Sequence, residues 1–162
     1  MPCGVGAIGL NVWVERAEIL FYLSRSGAFD ENNVFPKFGR VRMKLSPNPF
    51  EGGEFRQELR LKEGYIEISG KKAGRSSLVK IWVDVFRPVV HVETESSEPV
   101  SVEAIYESWR TTDLEWTKPG QTWASLAFRD APMNAIIRAD SIQFDNNKVL
   151  FYHHNRDKSV FD

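Results

Sequence analysis

The stretch Phe55-Arg56-Gln57-Glu58-Leu59-Arg60-Leu61-Lys62 decides the fold class. Phe55, Leu59 and Leu61 fall on one side of an extended chain, and Arg56, Glu58, Arg60 and Lys62 on the other. A period of two with charge on one side describes an antiparallel strand half covered by a core. Glu63-Gly64 then turns the chain into Tyr65-Ile66-Glu67-Ile68-Ser69, which predicts a hairpin. Beyond it, Lys71 to Ser77 reads as a charged, glycine-containing loop. Leu78 through Phe86 reads as a longer strand with Val79, Ile81, Val83 and Val85 on one face. Arg87-Pro88 interrupts it, because proline cannot donate to a ladder. Val89 to Thr94 and Val100 to Glu107 continue the alternation on either side of a Ser96-Ser97-Glu98-Pro99 turn.

Toward the N-terminus, Leu10, Val12 and Val14 alternate, and Ile19-Leu20-Phe21-Tyr22-Leu23 is apolar on both faces, as a central strand should be. Gly39 to Leu45 sets Val41, Met43 and Leu45 against Arg40, Arg42 and Lys44. Near the other end, Ser141 to Asp145, the pair Asn146-Asn147, and Val149 to His153 form a second hairpin signal. About nine or ten strands, short turns and no convincing amphipathic helix predict an all-β antiparallel sandwich in a single domain spanning 1–162. Two stretches resist this pattern, Phe29 to Phe38 and Arg110 to Ala139. The second has room for a short helix near Trp123 to Phe128. Loops of that length serve a function or pack on a partner.

The bulk properties exclude more than they assign. Of 162 residues, 42% are hydrophobic and 27% charged, with a formal charge of -1. That balance gives no general attraction to nucleic acid or to an anionic membrane. No apolar run reaches the roughly 18 residues that span a bilayer. Cys3 is the single cysteine, so no internal disulfide forms. Metal ligation is not expected either: His91 stands alone, and His153 and His154, being adjacent, point to opposite faces of a strand.

Gly4-Val5-Gly6-Ala7-Ile8-Gly9 spells G-x-G-x-x-G, the turn that cradles a dinucleotide pyrophosphate when it lies between a strand and a helix. Only three residues precede it, too few for the strand, and the residues after it alternate as a strand does. The glycines therefore predict a tight loop, no nucleotide and no other cofactor.

Several phrases fit one family in order along the chain. Met1-Pro2-Cys3-Gly4-Val5-Gly6-Ala7-Ile8-Gly9-Leu10-Asn11-Val12-Trp13-Val14 resembles an "MP-x-G-x-G-x-x-G-x-NVW" opening found in certain large bacterial proteins. Ile19 to Ser24, Asp30-Glu31-Asn32 and Lys37 to Arg42 fit the same pattern, and Phe55 to Gly64 resembles its "Q-x-L-x-L-x-x-G" strand and turn. Tyr152-His153-His154-Asn155 is similar to its "YH-x-N" phrase. The resemblance is to the N-terminal domain, of unknown function, of glycoside-hydrolase-like proteins similar to the family 95 fucosidases. It implies a β-supersandwich followed by a helical linker and an (α/α)6 barrel that carries the catalytic carboxylates, in a periplasmic or extracellular protein. It also implies a glycine loop beside the barrel's sugar pocket. Val5 and Ala7 stand where the family often has Asn or Asp, so the loop would contribute shape and not polar contacts.

Candidate sites follow from residue chemistry. Asp30 with Glu31, or Asp84 with Glu93, would be carboxylate pairs for glycoside hydrolysis, but acidic side chains on a solvated face ordinarily confer solubility. Cys3 has no histidine partner in sequence to activate it. No catalytic residue is therefore expected in this chain. Trp109, Trp116 and Trp123 recur every seventh residue in the long irregular segment. Exposed, they would stack on sugar rings; buried, they would pin that segment to the sheet. Trp13 and Trp82, inside strands, are expected to be buried. Arg40 and Arg42 are expected on a solvated face or in ion pairs, and Tyr152-His153-His154-Asn155 to hold the start of a linker. The substrate-binding candidates are thus Gly4, Gly6, Asn11, Trp109, Trp116 and Trp123. The favoured function is a non-catalytic accessory domain packing on a barrel of the same polypeptide. The alternatives are an autonomous carbohydrate-binding module and a protein-interaction domain whose partner covers Arg110 to Ala139.

Overall fold

The computed structural model describes residues 1–32, 35, 38–115 and 136–155, and every regular element among them is a strand. In chain order these are β1 (Pro2–Val5), β2 (Ile8–Glu15), β3 (Glu18–Arg25), β4 (Arg40–Ser46), β5 (Glu54–Arg60), β6 (Tyr65–Lys72), β7 (Arg75–Val83), β8 (Val90–Ser96), β9 (Ser101–Glu107), β10 (Leu114–Glu115), β11 (Ile136–Ile137), β12 (Ser141–Asp145) and β13 (Lys148–Tyr152). They fall into two compact units, one of Met1–Ser26 with Phe38–Glu107, the other of Gly27–Lys37 with Ser108–Asp162.

The first unit is a sandwich. One sheet has the order β1-β2-β3-β4-β9, the other β5-β6-β7-β8, and every neighbouring pair is antiparallel. The inward rows are those the alternation marks: Leu10 and Val12, Ile19 and Phe21, Met43 and Leu45 from the first sheet, Ile66 and Ile68, Val79, Ile81 and Val83 from the second. Phe50, on the crossover between the sheets, closes one end of this core. Each such side chain contributes about 1.5–3 kcal/mol by leaving water, so this double layer is what holds the unit together. β3 is the third strand of five and buries Leu20 on its other face as well, as its two-sided apolar sequence requires.

Several sequence expectations need correction at strand ends. The Lys71 to Ser77 loop shrinks to two residues, Ala73 and Gly74, whose φ of 50° and 81° give the twist that joins antiparallel strands tightly. β7 stops at Val83 and not at Phe86, because Asp84 captures the backbone N–H groups of Phe86 and Arg87 at 2.8 and 3.0 Å. Val85 is therefore not on the core face but 68% exposed. Leu61 likewise lies in the turn after β5, 81% exposed. The Ser96 to Pro99 turn does not join neighbouring strands: β8 ends one sheet and β9 completes the other beside β4.

The opening glycines also differ from the sequence reading. A short strand, β1, does precede Gly6, and it pairs antiparallel with β2 through the two-residue turn Gly6-Ala7. Gly6 has φ 59°. Gly4 faces Gly9 across the pair, and a Cβ on Gly4 would sit 2.6 Å from the Ile8 carbonyl oxygen. These residues form an edge hairpin, with no helix behind them to receive a pyrophosphate.

In the second unit, β10 pairs with β11, and β12 with β13 around Asn146-Asn147, as the sequence predicts for the latter. The register puts Ile142 opposite Phe151 and Phe144 opposite Val149 on one face of the β12–β13 ribbon.

Candidate functional site

The opening hairpin holds three of the sequence-selected residues. The N-terminal amine of Met1 donates to Asn11 Oδ1 at 3.3 Å and also to the Val12 carbonyl. Asn11 is exposed, yet its carbonyl oxygen is engaged in fastening the first residue. Beside it, Cys3 lies with its Sγ 3.9 Å from the Gly64 carbonyl, and burial pushes its thiol pKa up. A thiol kept protonated is a poor nucleophile.

On the outer face of the five-stranded sheet, β4 supplies Arg40, Arg42 and Lys44, flanked by Glu18 of β3 and Glu107 of β9. Glu107 accepts from Arg40 and, at 2.8 Å, from Arg42. Glu18 accepts from Arg42, with Lys44 at 3.4 Å. The Arg42 hydrogen bond is the main cause holding both carboxylates below their usual range. The arginines thus stand in ion pairs, in a band bordered by Trp13 and Tyr22, whose rings lie 4.7 Å apart. Half-exposed pairs of this kind add little stability individually; their effect is to fix each guanidinium in one orientation.

The second unit brings together two phrases 122 residues apart. His153 places Nε2 at 2.8 Å from Glu31 Oε2 and Nδ1 at 3.0 Å from Asp140 Oδ1. Arg110 reaches Asp140 at 2.7 Å. The side chains of Glu31 and Asp140 are each 4% exposed and that of His153 is 10% exposed. The imidazole thus bridges the two carboxylates. Among the described residues, Glu31 Oε1 is buried with no hydrogen-bond partner. Neighbouring Asn32 donates to the Ile136 carbonyl at 2.7 Å, tying the same segment to β11. Nothing in the sequence pairs Glu31 with His153; the only signal is that both lie in phrases that resemble the family.

The proposed carboxylate pairs do not form as such. Asp30 caps the Asn32 N–H at 3.0 Å while Glu31 turns to His153. Asp84 is committed to its loop: besides the two backbone N–H groups, Arg87 lies at 2.9 Å and His91 at 3.4 Å. These contacts, the Phe86 N–H first, lower its pKa to about 2. Glu93 stands instead across from Lys80. Among the described residues no group of three His, Cys, Asp or Glu side chains could hold a metal ion. Trp109 is 47% exposed, and Trp116 and Trp123 lie outside the described residues, as does the stretch expected to hold a short helix.

No curated protein and no solved structure matches this chain. A family model does, over residues 1–162. The chain belongs to DUF5703_N, a family described as a domain of unknown function (DUF5703).

Proposed function

We propose that this chain is a non-catalytic accessory domain of a larger, extracytoplasmic carbohydrate-active protein. It packs on a catalytic (α/α)6 barrel of the same polypeptide and lends shape to that barrel's sugar pocket. The observation that carries this reading is the β12–β13 ribbon. One of its faces is apolar throughout, Ile142, Phe144, Val149 and Phe151, and Phe144 is 80% exposed and Val149 42%. A two-stranded ribbon is marginal alone in water, and apolar side chains displayed side by side mark a surface that another body covers. The sequence resemblance supplies the identity of that body.

Hydrogen exchange on the full-length protein tests it. Amides of β12 and β13 are expected to exchange at least tenfold more slowly there than in residues 1–162 alone. Phe144→Asp should erase that difference and lower turnover of an aryl-glycoside by the full-length protein. Equal exchange in the two forms would sink the reading.

A further inference from the structure

The outer face of the four-stranded sheet carries a shallow groove of about 600 Å³. The register lays Arg56, Ser69, Leu78 and Glu95 in one row across all four strands, with Glu54 and Lys71 paired in the next row. Small side chains in mid-sheet form the floor, and long charged ones form the walls. We propose that this groove binds a neutral saccharide.

Charge decides the class of ligand. Two cations, Arg56 and Lys71, face two anions, Glu54 and Glu95. Their sum is zero, so a phosphate or a carboxylate gains no net attraction. A polyhydroxylated ring uses both signs, since each hydroxyl donates to a carboxylate and accepts from an ammonium or guanidinium group. Arg56 lies 2.7 Å from Glu58, and Glu95 lies 3.1 Å from Lys80. Glu54 and Lys71 have no ion pair among the described residues, which leaves a donor and an acceptor ready at one wall. The volume falls within the roughly 300–1,000 Å³ of small-molecule sites.

Beyond a charged row of Glu58, Glu67, Lys80 and Glu93, the same face continues into an aromatic row. Tyr65, just before the Ile66↔Ile81 pair, stands beside Trp82, and Trp82 is paired with His91. His91 stacks on the indole with ring centroids 5.0 Å apart and planes at 14°, while Asp84 holds the imidazole from the other side at 3.4 Å. Trp82 is thereby fixed at about 13 Å from the groove along the strands, a distance a short oligosaccharide spans. Rigid aromatic surface next to fixed polar groups suits sugars, whose rings present apolar C–H faces between hydroxyls. A peptide fits less well, because apart from Leu78 and the half-exposed Phe55 the lining is polar, charged or glycine. This inference deepens the carbohydrate-active reading and names a site in this chain, but it does not depend on the docking of β12–β13.

Calorimetric titration of the 162-residue chain with a panel of neutral di- to tetrasaccharides tests the proposal. Inorganic phosphate and a polar hexapeptide serve as the competing ligand classes. At least one neutral saccharide should bind saturably, with affinity reduced tenfold or more by Ser69→Trp, which fills the floor, and by Trp82→Ala. Lys71→Ala, a surface change that leaves the core untouched, should weaken binding by severalfold with an unaltered circular dichroism spectrum. Trp13→Ala, on the other sheet, should change it less than twofold. Absence of binding across the panel, unchanged affinity in Ser69→Trp, or a preference for phosphate or peptide would each overturn the proposal. Hairpin protection in the full-length protein is read separately, so either result can fail without the other.

Discussion

In β6–β7, Ile66, Ile68, Val79 and Ile81 have 0% exposure, whereas in β12–β13 Phe144 is 80% exposed and Leu150 56%. Both hairpins are antiparallel, both close through two residues, and both alternate apolar with polar side chains over at least part of their length. The difference lies in what covers them. β6–β7 has the other sheet of its own unit packed on its inner face, Leu10 and Val12 of β2 and Phe21 of β3 among the side chains that cover it, while β12–β13 forms a sheet of two strands. Alternation therefore specifies a strand and the side it would bury, but burial itself requires a second layer.

The contrast can be pressed by mutation. Ile68→Ala removes a fully enclosed side chain and should cost about 2–5 kcal/mol of unfolding free energy, measured as a lower urea midpoint at unchanged slope. A loss below about 1 kcal/mol would mean that the two layers are not packed as described. Phe144→Ala, the same kind of truncation on the exposed ribbon, should stay within about 0.5 kcal/mol in residues 1–162. A larger cost would show that the ribbon is covered within this chain. The smallest effect concerns Asp84, at the end of β7. Its folded pKa, about 2, lies below the ordinary 3.8. Its contribution is thus complete above pH 3.8 and disappears as pH falls through 2. An NMR titration should place its carboxyl midpoint near 2, and the small stability gap between wild type and Asp84→Asn should close over that window. A midpoint near 4 would remove the capping role.

The same two hairpins show what sequence reasoning sees. Asn146-Asn147 is a turn signature, and the exposed ribbon was the easier one to read. Ala73-Gly74 sits among Lys71, Lys72 and Arg75, so the core hairpin looks like a charged loop from sequence, although β6 and β7 run into its two-residue turn. β4 was legible to within a residue because both its rows are pure, one apolar and one basic. The end of β7 was not, because Val85 keeps the period while the Asp84 side chain, with its hold on the Phe86 and Arg87 N–H groups, ends the ladder. Of the site, the phrases containing Glu31 and His153 stood out separately. Their meeting depends on the course of a chain 122 residues long, which no local pattern encodes. The groove on the outer sheet was invisible for a related reason: Arg56, Ser69, Leu78 and Glu95 come from four strands and become neighbours only through the register.

One property of the topology bears on how the molecule assembles in time. β5 to β8 follow one another as sequential hairpins, so that sheet can zip from local contacts alone. The five-stranded sheet is completed when β9 finds β4, joining Arg40 to Glu107 across 67 residues. Loop-closure entropy makes such long-range pairing late and slow. The four-stranded meander is thus the expected early structure, with β9 as the latch, and the edge of β4 stays open to other chains until that latch closes.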